Sequence, residues 1–155
     1  MHYPAAFYAT YFTTKAEDFD ADIIVKGLDV IKSKIDEIQS LGNEATAKEK
    51  NMLTVLEVAL EMYARGIKII PVDIYESDAT KFRVIDDKTI LPPMIGLQGV
   101  GENAAIHIQE ERKNGEFISK EDLRKRTKIS KTVIETLSNH GSLDNMSEKN
   151  QLSLF

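Results

Sequence analysis

The stretch Ile95-Gly96-Leu97-Gln98-Gly99-Val100-Gly101-Glu102-Asn103-Ala104-Ala105 sets two glycines around one apolar residue, immediately before a helical pattern. Glycine reaches backbone angles closed to other residues and lets a ligand approach the main chain. Leu97 and Val100 serve as apolar anchors, and Ala104, Ala105 and Ile108 follow at helical spacing as a buried face. The stretch therefore reads as a hairpin feeding a helix N-terminus. With no side chain at Gly99 and Gly101, the amides of Val100, Gly101 and the first helical turn can point outward, where an anion such as a phosphate is favoured. Glycine pairs also occur in plain connecting turns, so the apolar frame carries the reading.

Downstream the charge pattern points the same way. Between Arg112 and Lys131 stand eight basic residues (Arg112, Lys113, Lys120, Arg124, Lys125, Arg126, Lys128, Lys131) against three acids (Glu116, Glu121, Asp122). That segment is +5 in a chain of net charge −5, which leaves −10 for the remainder. Such asymmetry puts any polyanion contact in the C-terminal part, on the hairpin's own surface. Asn114-Gly115 breaks the helix that begins at Glu102. Ser119 with Asp122 caps the next turn, Ser130 caps a helix through Val133, Ile134 and Leu137, and Gly141 closes it.

Upstream, Tyr3 to Phe12 is rich in aromatics at a spacing that suits a short buried helix, with Pro4 in its first turn. From Asp20 or Asp22, apolar residues from Ile24 to Leu41 alternate at steps of four and three, predicting one helix that ends at Gly42. Thr46 with Glu49 forms a capping box for a second helix that runs to Gly66. Two short capped helices favour intramolecular packing over a coiled-coil dimer. Ile67 to Val72 is β-branched and reads as a short strand, and Lys81 to Ile85, with the turn Asp86-Asp87-Lys88 and the return Thr89-Ile90-Leu91, reads as a β-hairpin. Asp73, Glu76 and Asp78 read as loop and cap residues.

Leu97 to Ala105 resembles the hairpin of the helix-hairpin-helix DNA-binding fold. The flanking sequence is similar to the C-terminal region of bacterial replicative DNA polymerase III α subunits of the PolC type. The blocks that carry this are His2-Tyr3-Pro4-Ala5-Ala6-Phe7, Gly66-Ile67-Lys68-Ile69-Ile70-Pro71-Val72-Asp73 with Ser77, the hairpin itself, and Gln151-Leu152-Ser153-Leu154-Phe155. The expected fold is mainly α with a small β-hairpin. Residues 1–66 would be a helical segment ending the fingers region, 67–93 a strand and hairpin connection, 94–146 the helix-hairpin-helix unit, and 147–155 a flexible tail. Gly141-Ser142-Leu143 resembles a degenerate second hairpin of a paired unit.

The resemblance implies duplex DNA as a partner, gripped through Leu97, Gly99, Val100, Gly101 and Asn103 with Lys120, Arg124, Lys125, Arg126, Lys128 and Lys131. Gln98 stands where a proline often precedes the first glycine, and Glu102 and Asn103 where a cation often follows the second. Affinity should then rest on main-chain amides and be weak and sequence-independent. On composition alone, Leu152, Leu154 and Phe155 on a polar tether either fold back or enter a partner. Their resemblance, with Gln151 and Ser153, to a sliding-clamp-binding motif selects the clamp. A polymerase origin also predicts exposed apolar surface around Phe7, Tyr8 and Tyr11, and contact with the remainder of a longer chain.

Composition narrows the chemistry. With 155 residues and 42% hydrophobic content the chain can bury a core, and the absence of cysteine rules out disulfides and thiolate sites. No apolar run approaches the roughly 20 residues of a membrane span, and a bacterial cytoplasmic location is the default. His2, His107 and His140 are far apart, without metal-ligand spacing. No catalytic or metal-binding residues are expected here, since the polymerase family holds its Mg2+ on aspartates of a palm domain that this segment lacks. The alternatives are a stand-alone helix-hairpin-helix adaptor, with a self-sufficient N-terminus, and a DNA-repair nuclease, with a metal-bound carboxylate cluster.

Overall fold

The computed structural model describes residues 3–149. Its first helix, α1 (Tyr3–Thr14), buries Tyr8 and Phe12 and leaves Phe7 61% exposed. The predicted exposed patch is thus confined largely to Phe7. Tyr8 turns inward because its hydroxyl finds an acceptor there, donating to Glu61 Oε1 at 2.6 Å. Phe12, Phe19 and Phe82 form an aromatic cluster, with Phe19 edge-on to both partners at centroid distances of 5.2 and 4.7 Å. This cluster joins α1 to the strand region.

The stripe from Ile24 to Leu41 is split between two helices, α2 (Ala21–Ile24) and α3 (Leu28–Leu41). Gly27 makes the break at φ +95°. Periodicity alone hides it, because Ile24 and Ile31 on either side both face the core. Asp20 caps α2 by accepting from the Ile23 amide at 3.3 Å. The capping box at Thr46 and Glu49 opens α4 (Ala47–Ala64), with the two reciprocal bonds at 3.0 and 2.9 Å. α3 and α4 pack together as a helical hairpin.

Three short strands follow, β1 (Lys68–Ile69), β2 (Arg83–Asp86) and β3 (Thr89–Leu91), in the order β1-β3-β2. The predicted β-hairpin is β2 with β3, paired antiparallel with a bulge between Val84 and Asp86. It starts two residues late because Asp78 Oδ2 holds the amides of Thr80 and Lys81 in a turn, at 3.0 and 2.9 Å. β1 adds to β3 in parallel, and Pro71, which has no N–H, ends that pairing soon after Ile70 donates to Ile90 O at 3.1 Å. The predicted strand over 67–72 is therefore shorter than read.

The C-terminal helices are α5 (Glu102–Glu111), α6 (Lys120–Thr127) and α7 (Lys131–His140). One hydrophobic core runs from Ala5 to Leu143 through all of these elements except β2, whose four residues are exposed. His140 stitches it together: its side chain is 1% exposed, with Nδ1 2.6 Å from Asp22 Oδ1 and Nε2 accepting from the Val72 amide at 3.0 Å. Among the described residues no helix is long and apolar enough to cross a membrane.

Candidate nucleic-acid interface

The first hairpin is held from below. Leu97 is fully buried and Val100 is 5% exposed, so these two anchor the turn and offer no side chain to a ligand. Gln98 donates from Nε2 to Glu17 O at 3.0 Å and to Phe19 O at 2.7 Å, fastening the turn to the N-terminal body where a proline would have stiffened it instead. The Val100 amide, expected to point outward, donates to Leu97 O at 3.1 Å and is spent inside the turn. Only Gly99 uses the glycine-only region, at φ +99°. Gly101 is an ordinary extended N-cap (φ −76°, ψ 164°), and a Cβ there would meet nothing within 4 Å. What its missing side chain does is leave α5 without a side-chain cap, at a helix start where Gly101, Glu102 and Asn103 are all exposed.

A second hairpin lies at Lys128-Ile129-Ser130, between α6 and α7, and not at Gly141 as the sequence suggested. Lys128 takes the positive φ of Gly99, at +60°. Ile129 is buried to the same 5% as Val100. Ser130 is an N-cap at φ −73° and ψ 160°, nearly superposable in angle on Gly101, and its carbonyl accepts from Ile134 at 3.1 Å as that of Gly101 accepts from Ala105 at 3.0 Å. Glu102 and Lys131 then occupy equivalent first positions of α5 and α7. Gly141, with φ +98°, is simply the C-cap that ends α7. The sequence signal for this hairpin was present only in part, as the capping serine. A lysine in the left-handed region leaves no glycine to notice.

The two turns are neighbours. A Cβ on Gly99 would sit 3.4 Å from Thr136 Oγ1 on α7. Thr136 lies six residues beyond Ser130, roughly 9 Å along a helix axis.

The basic segment sorts into two groups. Arg126 is turned inward over the Phe117 ring at 4.4 Å, pairs with Glu111 and Asp122, and donates to the carbonyls of Glu111, Glu116 and Gly115. Lys120 is 15% exposed, bound to Ser138 Oγ at 2.9 Å and Glu148 at 2.8 Å. Arg112 donates to Ile74 O and Ser77 O, bracing the loop in which Ser77 Oγ accepts from the Asp73 amide. All three are engaged within the fold, so Lys120 and Arg126, read from the sequence as ligand contacts, are less free to meet a ligand than exposed cations are. Apart from Asp122, four residues before Arg126 on the same helix, the acids and carbonyls that claim them lie farther off in sequence, beyond any local pattern. Lys125 is exposed but paired with Glu121 at 3.0 Å. Arg124, Lys128 and Lys131 are exposed and bear no ion pair among the described residues. They surround the second hairpin.

Ser147 and Glu148, expected to open a flexible tether, are held against α6. Their carbonyls accept from the Lys120 and Glu121 amides at 2.8 and 3.0 Å, satisfying the first turn of that helix. Gln151, Leu152, Ser153, Leu154 and Phe155 lie outside the described residues, as does His2. Among the described residues no group of His, Asp and Glu is arranged to hold a metal ion. Asp73 and Asp78 cap local turns, as expected.

One turn leading into α5 and a matching one joining α6 to α7 are what a helix-hairpin-helix unit presents. The chain belongs to that family, whose model, described as a helix-hairpin-helix motif, matches residues 66–152. Over its full length the chain is also similar to proteins named DNA polymerase III PolC-type. It is 60% identical over 155 residues to that of Clostridium perfringens (strain 13 / Type A), 59% to that of Caldanaerobacter subterraneus subsp. tengcongensis, and 48% to that of Bacillus subtilis (strain 168). In each case it spans 11% of the relative's length. These matches do not support the expected C-terminal placement within such a protein.

Proposed function

We propose that this chain is a non-catalytic segment of a PolC-type replicative polymerase that grips the sugar-phosphate backbone of duplex DNA without reading sequence. The observation that carries this reading is the four-residue correspondence of the two hairpins: positive φ, buried apolar residue, extended cap, charged first helical residue. The first turn offers uncapped amides, and the second offers Lys128, Lys131 and the nearby Arg124. Amides and cations aimed at phosphates position a duplex but do not discriminate bases. In the bacterial cell the polymerase's Mg2+ chemistry belongs to other parts of the parent chain. The second element of the proposal is attachment to a sliding clamp through Gln151-Leu152-Ser153-Leu154-Phe155, which raises processivity by converting repeated encounters into an intramolecular one.

Fluorescence anisotropy of labelled duplexes across a salt series tests the first element. Binding should be equal for unrelated sequences and weaken linearly in log–log form as salt rises. No affinity at low ionic strength overturns it. Removing Leu154 and Phe155 should abolish binding to a purified clamp and leave duplex affinity unchanged. Unaltered clamp affinity would refute the tail assignment alone.

A further inference from the structure

A trough of about 450 Å³ lies at the opposite end of α7 from the second hairpin, between the loops around Asp73, Phe117 and Leu143. α7 has ten residues, so the trough stands roughly 15 Å from Ser130. Its size falls within the range of about 300–1,000 Å³ typical of ligand sites. Its lining is more polar than apolar, and the exposed or half-exposed apolar groups in it are Pro71, Tyr75, Ile118 and Met146. Ile118, at 69%, is the most exposed large hydrophobic residue among those described.

The walls are preformed. Tyr75 stacks on Phe117 at a centroid distance of 6.0 Å, and the Phe117 amide donates to the Tyr75 hydroxyl at 3.1 Å. Ser142 Oγ donates to Val72 O at 2.7 Å, and the Ile118 amide donates to Asp122 Oδ2 at 3.0 Å. Binding there would order little that is not already ordered.

The rim carries Asp73, Glu116 and Asp144, and no cationic side chain lines the trough. A polyphosphate is repelled by such a rim, and an acidic or neutral peptide gains nothing from it. An apolar side chain seated on Ile118 and Met146, with lysines or arginines beside it to meet Glu116 and Asp144, is complementary in both respects. We infer that this trough docks a protein segment in which an apolar residue is flanked by basic ones, at a surface separate from the hairpins. The inference stands on the trough's own chemistry and does not require the DNA-binding reading.

The test is NMR titration of the isotope-labelled 155-residue chain. The probe is an acetylated, amidated pentapeptide with leucine between two lysines on each side. Saturable shifts at Tyr75, Ile118 and Met146 support the proposal. They should weaken about tenfold in Ile118→Ser and in the double variant Glu116→Lys with Asp144→Lys. All three positions are exposed, so the variants should keep wild-type spectra elsewhere. Each of the following overturns it: no saturation at millimolar peptide, or equal binding of a glycine-centred control, which would leave only charge. Equal binding of a leucine flanked by glutamates would remove charge from the account. Stronger seating of a Gln-Leu-Ser-Leu-Phe peptide would name the chain's own residues 151–155 as the occupant. Shifts that depend on protein concentration alone would name a second copy, and shifts caused by duplex would name nucleic acid.

Discussion

At Gly99–Gly101 and at Lys128–Ser130 a positive φ, a buried apolar residue and an extended cap recur in that order, yet the first turn leaves α5 uncapped beside Glu102 while the second caps α7 with Ser130 and presents Lys128 and Lys131. The first offers dipoles and hydrogen-bond donors; the second offers full charges with one donor already satisfied, the Val133 amide at 3.2 Å from Ser130 Oγ. Partial charges at a helix end act only within its first turn, whereas exposed lysines attract a polyanion at long range and release counterions. Under the proposed duplex binding, related geometry would serve two kinds of contact. The division predicts salt-sensitive attraction at the second hairpin and short-range seating at the first.

The largest effect should come from Lys128→Glu with Lys131→Glu. Duplex affinity at low salt should fall roughly 10- to 100-fold, and the log–log salt slope should drop by about 2. An unchanged slope would remove the second hairpin from the interface. A finer probe is Gly101→Ser, which gives α5 the cap that α7 already has. Thermal stability should rise by only a few tenths of a kcal/mol, since glycine is itself a fair cap. Affinity should drop several-fold with the salt slope unaltered, because the serine hydroxyl would occupy an amide meant for phosphate. If affinity holds, the uncapped amides are incidental.

Lys128→Gly gives the second turn the glycine that the first has at Gly99 and leaves the Ser130 cap and Lys131 in place. It relieves a left-handed lysine, worth about 1 kcal/mol, against a comparable gain in unfolded-state freedom, so chemical denaturation should show little change. The salt slope should still fall by about 1. The smallest effect lies away from both hairpins. The Thr46 amide holds the Glu49 carboxyl below its usual range, so its contribution is complete above the unfolded value and is lost as pH falls through the folded one. Glu49→Gln should flatten the acid limb of a stability–pH curve and leave duplex binding at neutral pH untouched.

Features set by neighbours in sequence were legible from the residues alone. The caps at Thr46, Ser119 and Ser130, the glycine turn and the β2–β3 pairing all depend on side chains within four residues of the backbone they serve. What depended on distant partners was not legible. Arg126 and Lys120 count as basic residues in any charge profile, and only the fold brings Glu111 and Glu148 to them. β1 joins the sheet in parallel through a partner some twenty residues away, which no alternation pattern specifies. The break at Gly27 was masked because the helices on either side keep their apolar residues in phase.

Because Ser147 and Glu148 lend their carbonyls to the start of α6, the polypeptide leaves the body at a fixed exit beside Lys120. From Lys149 to Gln151 an extended chain covers at most about 7 Å. Any partner that seizes Gln151 is thus on a short leash, held within a few ångströms of that exit instead of trailing on a long line.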